Sequence, residues 1–326
     1  MITSIKASNF KSWKTLDLPV SRITGLFGTN SSGKSSILQL LLMLKQTKDA
    51  TDRGLTIDFG SPNSYVNLGS FSEVTHGHDA KQISWELCWD LPKKLRASDP
   101  LKSRKELIFE ANAIRHGATV ESDGIKLETN RIYYEAKGNS GNPRFALERG
   151  EKGFTLQDET TDYKFIRNSG RRWEIPSPIK SYIFPDQVQT YYKNTAFLSD
   201  LVHEYEQLID RIFYLGPLRE FPSRDYVWSG SRPMDVGKRG ERAIDAILAA
   251  RAQGETRNLG FRHHHKRFDE FIAFWLKELG LIHEFKVEEI KDGTGLYRVW
   301  VQKNPNSAHA LITDVGFGVS QVLPIL

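Results

Sequence analysis

The 326-residue chain contains one cysteine, three methionines and no hydrophobic run long enough to cross a bilayer. A lone thiol, Cys88, excludes an intrachain disulfide and fits a reducing, cytoplasmic setting. The longest apolar stretch, ILQLLLML, falls far short of the ~20 residues that a spanning helix requires. The opening MITSIKASNF lacks the apolar centre of a signal peptide, so no membrane partner is expected. Internal repeats, low-complexity tracts and sustained heptads are also missing, which excludes solenoid and long coiled-coil architectures. Charged residues make up 26% and hydrophobic residues 39%, the balance of a globular protein with one large or two ordinary cores. The net charge of +5 permits contact with nucleic acid without demanding it.

What is present is a glycine-rich loop. The run GTNSSGKSS, from Gly28 to Ser36, follows the apolar RITGLF and leads directly into ILQLLLMLKQ. Gly28, Gly33, Lys34 and Ser35 have the spacing of a phosphate-binding loop. The glycines let the backbone of Thr29, Asn30, Ser31 and Ser32 curl so that successive N–H groups face phosphate oxygens. A helix beginning near Gly33 adds the positive end of its dipole. Lys34, the one catalytic candidate, would reach the β- and γ-phosphates, while Ser35 would offer a hard oxygen to Mg²⁺. The flanks predict a buried strand over Ile23 to Phe27 and an apolar helix from Ile37 to Leu44. ATP with Mg²⁺ is the expected ligand pair.

Around this loop the sequence predicts three segments. Residues 1–80 read as an ATPase lobe, in which SIKASNFKSW and LDLPVSRI form a paired ribbon. Residues 81–190 read as an antiparallel β lobe. In ISWELCW, residues Ile83, Trp85, Leu87 and Trp89 share one face. ELIFEANAI, RIYYEAK, RFALERG, GFTLQ and DYKFI are further strand candidates. Residues 191–326 read as a helical lobe with three helices, TAFLSDLVHEYEQLIDRI, ERAIDAILAARA and KRFDEFIAFWLKELG. A hairpin then joins FKVEEI to LYRVWV through KDGTG.

A second glycine-rich stretch, TDVGFGVSQVLPIL, places Asp314, Gly316, Gly318, Ser320 and Gln321 before an apolar helix start. It reads either as an anion-holding loop or as a tight strand-to-helix turn. NFKSW, GTNSSGKSS and this stretch together resemble the ATP-binding-cassette head of the RecF, structural-maintenance-of-chromosomes and OLD group of ATPases. YVNLGSFSEVTHGHD and the block YLGPLREFPSRDYVWSGSRPMDVGKRGERAIDAILAAR resemble, more narrowly, bacterial AAA family ATPases of that group with a C-terminal domain of unknown function.

The resemblance implies an α/β P-loop NTPase of the cassette-head type, with an antiparallel β-rich lobe and a helical lobe. It implies that Gly316 to Gln321 close, as a signature loop, over ATP held by a second protomer. A homodimer with two sandwiched nucleotides is therefore expected, although Gly-Val-Ser-Gln departs from the usual Ser-Gly-Gly-Gln. It places Lys11, Ser12 and Lys14 where related heads contact nucleotide. Such heads also carry, after the signature helix, four apolar residues followed by Asp-Glu, which secure Mg²⁺ and activate water. No segment before Leu326 matches that pattern: IFYLGP lacks the acids, and YIFPDQ has a proline and a single Asp. A chain truncated from a longer protein, or one needing a partner polypeptide, is expected, with ATP bound but poorly hydrolysed. Relatives act in phage defence and DNA repair, which leaves two readings. The first is an ATPase; the second is a nucleotide-gated scaffold that controls an effector nuclease or toxin.

Two clusters of other residues carry alternatives. His76 and His78 beside Asp79 read as a polar turn rather than a zinc site. From Arg211 to Arg267 the chain carries twelve Lys/Arg against six Asp/Glu. Arg219, Arg224, Arg232, Lys238, Arg239 and Arg242 are candidates for nucleic-acid or interface contact, or for pairing with the interleaved acids. FRHHHKR, with His263, His264 and His265, reads as a solvated basic loop, because consecutive histidines on a helix point apart.

Overall fold

The computed structural model describes residues 1–102, 106–138, 141–161, 163–170, 173–260, 264–316 and 318–326. The chain divides into two compact units, Met1–Ile212 and Phe213–Leu326. That boundary departs from the three segments predicted. Residues 1–80 and 81–190 share one core, and the helix expected to open the last lobe belongs with them.

The first unit is built on a seven-stranded sheet. β1 (Ile2–Phe10) and β2 (Trp13–Pro19) form the predicted ribbon, and β3 (Gln82–Ser98) pairs with the other edge of β1. The meander continues through β4 (Leu107–Ser122), β5 (Leu127–Gly138), β6 (Arg144–Arg149) and β7 (Phe154–Asp158). Every neighbour in it is antiparallel, so the β-rich lobe extends the N-terminal ribbon instead of standing apart. Period-two alternation explains the faces. Ile83, Trp85, Leu87 and Trp89 of β3 are all buried, as predicted, and Cys88 on the opposite face is buried too. DYKFI forms no strand over its described residues 163–166.

α1 (Lys34–Asp49) and α4 (Phe197–Asp210) contribute to the same core through Ile37, Leu40, Met43 and Leu44 and through Leu198, Leu201, Tyr205 and Ile209. Between them lie two short helices, α2 (Phe71–Val74) and α3 (Asp186–Tyr191). Three of the polar residues that α1 buries have bonded side chains. Lys45 donates to the Ile209 carbonyl at 3.4 Å, Gln46 donates to the Asp58 carbonyl at 2.8 Å, and Thr47 accepts from the Asp58 N–H at 2.9 Å.

The second unit is not simply helical. A sheet of β11 (Glu284–Glu289), β12 (Leu296–Gln302) and β13 (Ala310–Leu311), joined by β8 (Tyr226–Val227), packs with α5 (Ala243–Ala252) and α6 (Phe268–Glu278). The β11–β12 hairpin and both helices follow the sequence reading. The histidine-rich loop is corrected in part. His265 begins β10 (His265–Arg267), which pairs with β9 (Thr256–Asn258), while His263 lies outside the described residues. α7 (Gly318–Val322) closes the chain's second glycine-rich stretch.

Candidate nucleotide site

The segment predicted as a buried strand before the phosphate loop forms no strand and pairs with none among the described residues. Ile23 is 92% exposed and Phe27 95% exposed. The apolar composition that predicts burial is satisfied only at Leu26, which is half-buried against the core of the first unit, while Ile23 and Phe27 are exposed. This overturns the expectation of a buried strand there.

The loop itself takes the shape that its glycines allow. Gly28 has φ 150° and Gly33 φ 86°, values open to glycine, and Ser31 between them is left-handed at φ 62°. The Ser32 N–H bonds back to the Thr29 carbonyl at 3.4 Å, and α1 begins at Lys34, with the Ser36 N–H on the Gly33 carbonyl at 3.1 Å. Lys34 folds over this turn. Its Nζ donates to the carbonyls of Gly28 at 2.8 Å and Thr29 at 2.6 Å, and to Ser32 Oγ at 3.3 Å. No carboxylate pairs with Lys34 among the described residues, so its charge is solvated by dipoles alone. A compact ammonium at a helix N-terminus, with no counter-charge among the described residues, has the chemistry to receive an anion.

Ser35 is exposed and makes no hydrogen bond to a described residue, whereas Ser36 is buried. A free hydroxyl one residue after the lysine is a hard oxygen donor and fits Mg²⁺. Asn30 is likewise exposed with no bonded partner among the described residues.

The turn between β1 and β2 borders the loop. Register pairs Phe10 with Trp13 across two turn residues, Lys11 and Ser12. Trp13 Nε1 donates to the Gly33 carbonyl at 3.1 Å, a contact that no sequence pattern announced. Lys11, a candidate for contact with nucleotide phosphate or base, has its ammonium on backbone carbonyls in this structure. Its Nζ donates to the Glu73 carbonyl at 3.1 Å and the Leu68 carbonyl at 3.4 Å, and burial, opposed by the nearby Glu73 carboxylate, lowers its pKa. Ser12 is exposed, and its Cβ borders Gly33. His76 Nδ1 lies 3.1 Å from the Lys11 carbonyl, and His78 Nδ1 lies 3.0 Å from that of Ser72. Both rings therefore serve backbone carbonyls, and no metal-holding cluster exists among the described residues.

In the second unit, Asp314 accepts from Arg224 at 3.1 Å, and the Gln321 carbonyl accepts from Arg219 at 3.4 Å. The basic block thus holds the glycine-rich stretch at both ends. Gly316 and Gly318 are exposed and Ser320 is buried, while Phe317 lies outside the described residues. Of the open alternatives for the six basic candidates, pairing with the interleaved acids is what the structure shows for two, Arg239 and Arg242. Arg239 meets Glu220 at 3.2 Å, Arg242 meets Asp235 at 3.6 Å, and Arg219 also bonds the Gly216 carbonyl. Arg232 is exposed, and Lys238 is half-buried.

Comparison with known proteins agrees with the loop. The family model described as AAA ATPase domain matches residues 1–212. No curated protein matches. The chain is similar to a solved SMC ATPase structure, from a study of ATP-driven dimerization and DNA-stimulated activation, at 21% identity. That match covers 42% of this chain and 70% of the other, with a TM-score of 0.21, too low to carry an argument. Because the family match takes in the whole first unit, phosphate loop included, the chain belongs to the AAA ATPase domain family of nucleotide-binding P-loop proteins.

Proposed function

We propose that the chain is the ATP-binding head of a cassette-type P-loop ATPase, which pairs with a second head through bound ATP. The observation that carries this reading is Lys34, an uncompensated ammonium held by the Gly28 and Thr29 carbonyls at the start of α1. Lys34 exchanges those carbonyls for β- and γ-phosphate oxygens, and loop amides take the remaining charge. Ser35 would help to hold Mg²⁺, which would supply charge neutralisation when bound. Gly316 to Gln321 provide the surface that meets the nucleotide of the other protomer. Gly316 has open space where a side chain would stand, so it suits a close approach.

Calorimetry with MgATP, beside size-exclusion chromatography with and without nucleotide, tests both parts. Wild type is expected to bind and Lys34→Ala to lose binding. Gly316→Glu should bind ATP normally yet stay monomeric. Absence of heat in wild type would overturn the nucleotide reading. Binding without dimerisation or turnover in wild type would favour the scaffold that gates a partner.

A further inference from the structure

Trp13 opens β2 directly beside the phosphate loop, and two observations show that the contact is built rather than incidental. First, its indole N–H donates to the Gly33 carbonyl at 3.1 Å, the same oxygen that accepts the first helical bond from the Ser36 N–H at 3.1 Å. Second, the ring lies flush on the glycine. A Cβ placed on Gly33 would meet Trp13 Nε1 at 2.9 Å and Ser12 Cβ at 3.0 Å. The hairpin explains the placement. Phe10 and Trp13 are cross-strand partners, so their side chains share a face, and Phe10 is anchored in the core. The backbone of Lys11 is held in turn, its N–H on the Val74 carbonyl at 2.7 Å.

The consequence lies in one peptide plane. The Gly33–Lys34 unit is planar and trans, so its N–H points opposite to its C=O. An indole that pins the Gly33 oxygen also sets the direction of the Lys34 N–H, one of the donors available to a phosphate at the head of α1. The Ser36 N–H holds the same oxygen from the helix side, and the indole adds a second restraint on a left-handed glycine from the hairpin side.

We infer that Trp13 is a positioning residue for the phosphate loop: its indole N–H orients the Gly33–Lys34 peptide, so that the triphosphate is gripped by a pre-set amide. The inference rests on the reading of residues 28–35 as a triphosphate site. Trp13 touches the loop at Gly33, so its effect is expected to fall on the phosphates.

The test compares wild type, Trp13→Phe and an isostere lacking the N–H, Trp13→3-benzothienylalanine introduced by nonsense suppression. Ligands are ATP, inorganic tripolyphosphate and adenosine, all with Mg²⁺. Loss of one hydrogen bond predicts that ATP and tripolyphosphate each bind about 3- to 10-fold more weakly to both variants. Adenosine binding and, for the isostere, the thermal midpoint without ligand should not change. Equal tripolyphosphate affinity in wild type and isostere overturns the inference, as does a loss confined to ATP, which would mean that the indole contacts the base. Failure of wild type to bind either phosphate ligand strikes instead at the functional reading beneath it.

Discussion

Lys34 Nζ lies 2.6 Å from the carbonyl oxygen of Thr29, which folds the ammonium group back over its own loop. A cation satisfied only by dipoles gains when an anion arrives. Saturating MgATP should therefore stabilise wild type by about 2.7 kcal/mol at a hundredfold excess over Kd, and Lys34→Ala not at all. Without nucleotide the variant's midpoint should move by less than about 2 °C, because Lys34 is only half-buried and its loop bonds lie at the surface. Thermal melts with and without MgATP read both numbers.

Gly33 is constrained twice, by φ 86° and by the indole and the Ser12 Cβ against its α-carbon. Gly33→Ala should cost about 1–3 kcal/mol in the first unit, measured by urea unfolding. Gly316→Ala serves as the contrast. With open space and no left-handed φ, it should change stability by less than about 0.5 kcal/mol.

His116 gives the first unit a pH dependence. Its ring is completely buried between Tyr134 and Tyr205, with Nδ1 donating to the Tyr133 carbonyl at 3.1 Å and Nε2 unpartnered among the described residues. Burial pushes its pKa down to about 3, against that hydrogen bond. Between that value and about 6.5 the unfolded chain holds a proton that the folded chain rejects, so this contribution is complete above pH 6.5 and shrinks on acidification. From pH 7 to 5 wild type should lose about 2 kcal/mol more than His116→Gln. Denaturant titrations of both proteins at the two pH values check the difference.

Phe27 measures the exposed approach to the loop. At 95% exposure it contributes no burial within the chain, so Phe27→Ser should alter unfolding free energy by less than about 0.5 kcal/mol. A loss near 2 kcal/mol would mean that the ring is covered in solution.

Local pattern carried the reading of single elements. Alternation in ISWELCW marked the buried face of β3 because side chains on a strand alternate whatever surrounds them. Gly28, Gly33 and Lys34 marked the loop because only those residue types permit and use its backbone shape. The run at Ile23 to Phe27 shows the limit. Apolar composition records an appetite for burial but not whether a neighbouring strand is present to satisfy it. Lys11 shows another, since its ammonium reaches the Glu73 carbonyl, sixty-two residues away in the chain.

The sequence by itself determined that a phosphate loop exists, which residues form it and where most strands and helices lie, since these depend on backbone preferences within a few residues. Only the tertiary structure decided that residues 1–212 share one core, that Arg224, Arg239 and Arg242 of the basic block are ion-paired, and that Trp13 rests on Gly33. Those outcomes depend on contacts between residues distant in the chain. Such contacts follow from how the sheet and helices pack, and no short window of sequence contains that information.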